Sequence, residues 1–369
     1  MRLVIIGAGS TGLAAAYALR TSDLEVVVLE KSRGVSGRAA TRWRDVSMGE
    51  QTIRWRYDHG AQYLSPDPAA PSARLVRDAL PSGDIVNLAR PVWPFDDDGT
   101  LRPDRAHAGA GVQWTYPGGI AELGHRLRDA TPGLDLRLQT RAERLVKTDS
   151  MWSVETDREA VEADAVLMTA PAPQVADLLA RSTGLAEQDP LVLALRAVPY
   201  RSQFSVVLGF DEVLVRPGPA YAYVNAVDHG EAGGRHPVAW LAVESDKPGR
   251  APEGATLLLI QMSAAWTADH FDDDPAAVVA AAIPSVEEVW GPLPAPLFTD
   301  TQRWRYALPE AEVNGAALRA SEPEGLFIAG DATAGKGRVH LALEEGLAVA
   351  ERIEAWFQSP EDKAGATAV

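Results

Sequence analysis

Arg2-Leu3-Val4-Ile5-Ile6-Gly7-Ala8-Gly9-Ser10-Thr11-Gly12 is the stretch that decides the fold of this 369-residue chain. Its first five residues, mostly branched and apolar, read as a buried strand, and the pattern G-x-G-x-x-G follows at once, leading into a helical stretch from Leu13 to Arg20. Each glycine has its own physical reason to be there. One allows a tight turn, one lets the backbone approach a pyrophosphate, and one lets the helix pack closely on the strand. The free N–H groups and positive dipole end of that helix then face the phosphates. A second strand, Glu25 to Leu29, ends at Glu30, about 20 residues past the glycines, where a carboxylate accepts hydrogen bonds from ribose hydroxyls. An acid there disfavours a 2′-phosphate, so the stretch predicts a site for FAD or NAD rather than NADP. The fold class that follows is α/β, with a Rossmann-like dinucleotide domain.

Composition narrows the function. The chain is long enough for two domains with cores of their own. It has 35 basic and 51 acidic residues, a formal charge of −16, which repels nucleic acid and anionic membrane surfaces. It has no cysteine, hence no disulfide, no thiolate metal site and no cysteinyl link to a flavin. The seven histidines show no i,i+4 pairing, and the runs Asp96-Asp97-Asp98 and Asp272-Asp273-Asp274 lack the spacing of a calcium loop, so no metal site is expected. With no apolar stretch of membrane-spanning length and no signal-like segment, a cytoplasmic location is expected.

Along the chain, Lys31 to Arg38 form a glycine and arginine loop placed to continue along the dinucleotide, and residues 65 to 115 show little periodicity. A helix is predicted after Gly119 through Leu127, and a β-meander from the alternation around Leu134 to Leu138 and Met151 to Glu155. Ala165 to Ala170 reads as a strand returning to the first sheet. Phe204 to Phe210, Val238 to Val243 and Thr256 to Met262 predict an antiparallel sheet carrying a substrate pocket, followed by two helices, Pro275 to Ile283 and Val286 to Trp290. Gly325 to Asp331 is a buried strand ending in a glycine-aspartate turn at Gly330 and Asp331, with a helix from His340 to Phe357. The predicted division is a discontinuous dinucleotide-binding domain of 1–64 with 117–175 and 302–358, a substrate domain of 65–116 with 176–301, and a loose tail at 359–369.

Together these segments resemble the FAD-dependent amine oxidase superfamily and, within it, the bacterial branch of the renalase family. Ser36-Gly37-Arg38-Ala39-Ala40-Thr41-Arg42 is similar to the G-G-R-M-x-T loop, with serine where glycine is usual, and Asp58-His59-Gly60-Ala61-Gln62-Tyr63 to the D-x-G-A-Q-Y/F element beside the flavin ring. Ala170-Pro171-Ala172-Pro173-Gln174 resembles a P-A-P-Q strand end. Lys247-Pro248-Gly249-Arg250, Arg303-Trp304-Arg305-Tyr306 and Gly337-Arg338-Val339 narrow the match to renalase.

The resemblance implies non-covalent FAD, with its pyrophosphate over Gly7 to Gly12, its adenosine ribose at Glu30, Arg38 on a phosphate, Gly60 to Tyr63 beside the ring, and Asp331 on the ribityl chain. Lys31, Gly37, Ala142, Gly330, Arg338 and Val339 are placed along the cofactor as well. It further implies an oxidase: a hydride goes from a small substrate to the flavin and the electrons go to O2. The lysine typical of amine oxidases falls at about Ser205 and the cage tyrosine at about Arg338; both departures point away from simple amines and toward 2- or 6-dihydro isomers of NAD(P)H as substrates. Arg338, Gln261, Tyr63 and Trp240 are the candidate catalytic residues. A renalase histidine is here Gln261, Glu244 replaces an amide-bearing residue, and His340 is either a substitute imidazole or a surface or capping residue. Tyr63, Trp240 and Trp304 either stack on a ring or pack the core. Two other readings remain open: another amine oxidase or desaturase of the superfamily, and a carrier without flavin chemistry, like the GDP-dissociation inhibitors.

Overall fold

The computed structural model describes residues 1–81, 83–106, 111–148, 151–183, 188–226 and 235–359. Arg2–Ile6 lies third in a five-stranded parallel sheet ordered Leu326–Ile328, Ala165–Met168, Arg2–Ile6, Glu25–Leu29, Asp135–Arg137. A parallel sheet needs both faces covered, and the alternation of its central strand meets that need. Leu3 and Ile5 join a core with Leu13, Leu343 and Val349 of the helices Ser10–Ala18 and Val339–Gln358. Val4 faces the other way, into a core with Val175, Leu179 and Leu191 of the helices Ala172–Ala180 and Pro190–Arg196.

The first helix starts at Ser10 rather than Leu13, because Gly9 is its N-cap and the Gly9 carbonyl accepts the Leu13 N–H at 3.0 Å. It packs against the helix farthest from it in sequence: at Gly346 of Val339–Gln358, a Cβ would stand 2.4 Å from the Thr11 carbonyl. Only glycine lets the two helices approach this closely.

The second sheet has six strands, ordered Phe298–Pro309, Tyr200–Phe210, Thr256–Met262, Val238–Val243, Ala222–Asn225, Val92–Phe95. All pairs are antiparallel except the last. The three strands expected from the sequence are central ones, and the other three were not legible. Val92–Phe95 comes from the stretch with little periodicity and carries Pro94, which an edge strand tolerates.

Other details depart from expectation. Asp135–Arg137 joins the parallel sheet beside Val27 to Leu29, so the meander consists of Ala142–Lys147, Trp152–Thr156 and Ala160–Ala163 only. The hairpin Thr41–Met48 with Gln51–Asp58 was not anticipated, since its arginines obscure any apolar alternation. Pro275–Trp290 is one helix, not two: Pro284 is exposed, so the carbonyl it leaves unpaired faces water, while Val278, Ala282, Val286 and Val289 bury a continuous seam. Asp274 caps this helix through the Ala276 and Ala277 N–H groups, and Asp98 closes a turn on the Thr100 N–H. All but the first residue of the expected 359–369 tail lies outside the described residues.

Candidate active site

A cleft of about 1470 Å³ runs from the carboxyl ends of the parallel strands to the six-stranded sheet. Gly7, Gly9, Ser10, Thr11, Glu30, Lys31 and Ala142 line its dinucleotide end, and a Cβ on Gly9 would meet no protein atom within 4 Å. The space above that backbone is open, and no side chain caps the helix that starts there, so its first N–H groups are available. Glu30 is buried, its Oε2 accepting from the Ala8 N–H at 3.0 Å and its Oε1 from the Ser32 N–H at 2.7 Å. Those bonds fix the carboxylate and leave lone pairs for ribose hydroxyls.

Three residues expected to touch a cofactor do not line the cleft. Ala8 is fully buried and serves Glu30 through its N–H. Gly12 lies under the loop, where a Cβ would stand 2.0 Å from the Gly7 carbonyl. Gly330 turns the chain with φ +155°, its N–H bonded to Thr333 Oγ1 at 2.9 Å.

Arg38 lines the cleft but is committed to the protein. Its Nη1 donates to Asp331 Oδ2 at 2.6 Å and to the Tyr306 and Ala307 carbonyls at 3.0 and 3.2 Å. Those carbonyls are free because the strand pairing shifts between Arg201↔Leu308 and Gln203↔Trp304, leaving residues 305–307 outside the ladder. Asp331 Oδ1 meanwhile accepts from Tyr200 Oη at 3.0 Å. At these atoms the two side chains bond each other, which leaves Arg38 Nε and Nη2 for a phosphate and further lone pairs on Asp331 for a ribityl hydroxyl.

At the other end, Gly60, Ala61, Gln62 and Tyr63 line the cleft with Trp240, Gln261, Trp304, Arg338 and Val339. The loop from Asp58 to Tyr63 is held by the six-stranded sheet. The His59 carbonyl accepts from Ser205 Oγ and from Trp304 Nε1, both at 2.8 Å, and the Gly60 carbonyl accepts from Gln261 Nε2 at 2.8 Å. Gln261, expected as a catalytic residue, therefore spends half its amide on the loop, a role the sequence did not reveal. His59 itself stacks on Trp304 with ring centroids 5.3 Å apart, and burial, aided by the Arg42 charge, lowers its pKa to about 4.

Tyr63, Tyr221 and Trp240 pack edge to face or tilted at 6.2 to 6.4 Å, forming an aromatic wall. Burial raises the Tyr63 pKa, and the nearby Arg338 charge opposes it. Arg338 is exposed at the mouth, where its Nη1 bonds only the Gly337 carbonyl. His340 is half-buried inside the last helix, neither a lining residue nor the cap, with its pKa lowered by burial.

Beneath the aromatic wall is a cluster of ions with no solvent exposure, which sequence reading missed. Lys247 Nζ stands 3.0 Å from Asp58 Oδ2 and 2.8 Å from Glu244 Oε2; Arg250 Nη2 stands 2.6 Å from Asp58 Oδ2 and its Nε 3.1 Å from Glu244 Oε1. Burial alone would raise the Asp58 pKa, but Lys247 and Arg250 bring it below the ordinary value. Burial dominates at Glu244 and raises its pKa. The signal was the run Glu244-Ser245-Asp246-Lys247-Pro248-Gly249-Arg250, dense in charge directly after a wholly buried strand.

The sequence pattern of the flavin containing amine oxidoreductases matches residues 102–354, and that of the NAD(P)-binding Rossmann-like domain matches residues 5–79. The chain belongs to the flavin containing amine oxidoreductase family. Solved structures agree on the fold. A protein from Exiguobacterium sp. 255-15 provisionally named a protoporphyrinogen oxidase is 17% identical with a TM-score of 0.74, covering 96% of this chain and 98% of that one. Cyclohexylamine oxidase from Brevibacterium oxydans IH-35A is 15% identical with a TM-score of 0.71, covering 97% and 99%. A conjugated-linoleic-acid-producing fatty acid isomerase from P. acnes is 14% identical with a TM-score of 0.68, covering 95% and 98%.

This amine oxidoreductase is an FAD-dependent oxidoreductase, and its cleft fits that cofactor. The open space over Gly9, the uncapped helix beside it and the fixed Glu30 carboxylate suit a pyrophosphate and a ribose. Among the described residues no helix is long and apolar enough to cross a membrane, and no cluster of three or more histidines and acids could hold a metal.

Proposed function

We propose that this flavoenzyme oxidises misreduced dihydronicotinamide nucleotides, the 2- or 6-dihydro isomers of NAD(P)H, to NAD(P)+, in the manner of the renalases. One observation carries the reading: among the described residues, the cleft beyond its dinucleotide end offers cations and amides but no unpaired carboxylate. Arg305, Lys336 and Arg338 line the cleft with no carboxylate partner among the described residues, and Arg303 reaches Asp272, whereas the cleft acids Asp331, Glu310 and Asp177 are paired with Arg38, Arg201 and Arg196. A protonated amine would meet repulsion there; a nucleotide carrying phosphates would not. Ser205, at the position of the amine oxidase lysine, is fully buried with its hydroxyl spent on the His59 carbonyl.

FAD held over Gly7 to Thr11 and Glu30 would supply the hydride acceptor and the two-electron route to O2, the hydride's proton and one from solvent completing H2O2. The chain's own part is to place the donor carbon and exclude water. Tyr63 and Trp240 supply a flat apolar wall for the ring, and Trp304 braces the loop beside the flavin through His59. No general base is required, because loss of hydride leaves an aromatic cation. We assign the cofactor to the domain formed by 1–64, 117–175 and 302–358 and the substrate to 65–116 with 176–301, although the strand Phe298–Pro309 extends the substrate sheet across that boundary.

The test is anaerobic mixing of the purified protein with NAD+ chemically reduced to its isomer mixture, beside cyclohexylamine and putrescine controls. Rapid bleaching of the visible flavin band by the dihydro isomers alone is expected. Bleaching by an amine instead would return the enzyme to amine oxidation.

A further inference from the structure

Gln261 sits in the strand Thr256–Met262, its Cα paired with Ser205 on one side and Trp240 on the other. Its Nε2 donates to the Gly60 carbonyl at 2.8 Å, and a carbonyl can only accept, so the amide has one orientation. Its Oε1 takes no part in that bond, on a side chain that lines the cleft. No donor among the described residues serves that oxygen. Ser205 Oγ and Trp304 Nε1 are occupied by the His59 carbonyl and Gln62 Nε2 by the Asp58 and Gly60 carbonyls, and Trp240 Nε1, on the neighbouring strand, is buried and bonds nothing. A half-buried acceptor, held rigidly and left without a donor, sets a requirement on whatever fills the pocket.

We infer that Gln261 makes the pocket selective for a neutral primary carboxamide over the corresponding carboxylate. The inference rests on the dihydronicotinamide reading above and deepens it. A carboxamide offers an N–H to Oε1; a carboxylate offers only lone pairs, so acceptor faces acceptor in a partly desolvated site and Gln261 cannot turn over without breaking its bond to Gly60. The exposed cations at the mouth pull the other way, toward the acid. Those cations face the phosphates that both substrates carry and are partly screened beyond about 8 Å at physiological salt, so the difference between amide and acid is set by the fixed acceptor.

The experiment compares NAD+ and nicotinic acid adenine dinucleotide, each chemically reduced to its isomer mixture, in anaerobic bleaching at about 0.15 M salt, on the wild type and on Gln261→Met. The wild type is expected to favour the amide by about tenfold or more in bleaching rate at low concentration. Gln261→Met, which keeps length but has no amide, is expected to bring the ratio near one while the flavin band persists. Equal rates in the wild type would overturn the inference and leave the dihydronicotinamide reading standing, and this arm needs no variant to fold. A ratio preserved in Gln261→Met would overturn the assignment to Gln261. Bleaching by neither mixture would overturn both.

Discussion

His59 shows how a residue beside the site ties stability to acidity. Stacked on Trp304 and buried, it stays neutral down to about pH 4, whereas the unfolded chain takes up its proton near 6.5. Between those values the unfolded state binds more protons, so stability must fall as the pH drops from about 6.5 to about 4, by up to about 3 kcal/mol from this residue. His236 and His340 are also depressed and act in the same direction. The check is therefore a difference: urea unfolding of the wild type and of His59→Phe, which keeps the stack, from pH 7 to pH 4. The wild type should lose up to about 3 kcal/mol relative to the variant between pH 7 and pH 4, and parallel curves would refute the shift. At this scale the sequence was a good guide to which residues gather, less so to what they do. Gly7, Gly9, Glu30, Tyr63, Trp240 and Gln261 all line the cleft as expected. The bond from Gln261 to a carbonyl 201 residues away, and that from Ser205 to the His59 carbonyl, depend on a strand register no local pattern encodes.

Among the elements, the irregular part of Phe298–Pro309 matters most. Its shifted pairing frees the Tyr306 and Ala307 carbonyls, and Arg38 gathers them with Asp331 into one junction between the cofactor loop, the substrate sheet and the turn before the last helix. Arg38→Ala should leave the half-buried junction without its cation and weaken FAD retention by about tenfold or more, measured as flavin released on dilution. Full retention with an unchanged melting temperature would show the junction to be dispensable. Periodicity revealed the elements with one strongly apolar pattern: the first strand and helix, the three central strands of the large sheet, the last helix. It missed Val92–Phe95, which has four residues and a proline, and the arginine-rich hairpin, and it split Pro275–Trp290 at a proline whose exposure makes it tolerable. In each case the deciding factor is which face meets solvent, a tertiary fact.

Over the whole molecule, the buried quartet of Asp58, Glu244, Lys247 and Arg250 is the strongest test of the fold. Two acids and two bases balance, so removing one leaves a net buried charge. Lys247→Met should cost about 3–5 kcal/mol, while Lys247→Met with Glu244→Gln, which restores neutrality around the Asp58 and Arg250 pair, should recover a good part of it. Additive losses in denaturant unfolding would mean the four do not act as a unit. The quartet, together with Ser205, Gln261 and Trp304, also means that the loop from Asp58 to Tyr63 is tied to the six-stranded sheet and the turn that follows its strand Val238–Val243, as well as to Arg38, Thr41 and Ile120 of its own half. The cofactor half is consequently not an interchangeable cassette. A chimera that grafts a foreign substrate sheet onto this nucleotide-binding frame would inherit the glycines and Glu30 yet lose the grip on Gly60, so new specificity has to be sought by changing the pocket around those anchors rather than by exchanging modules.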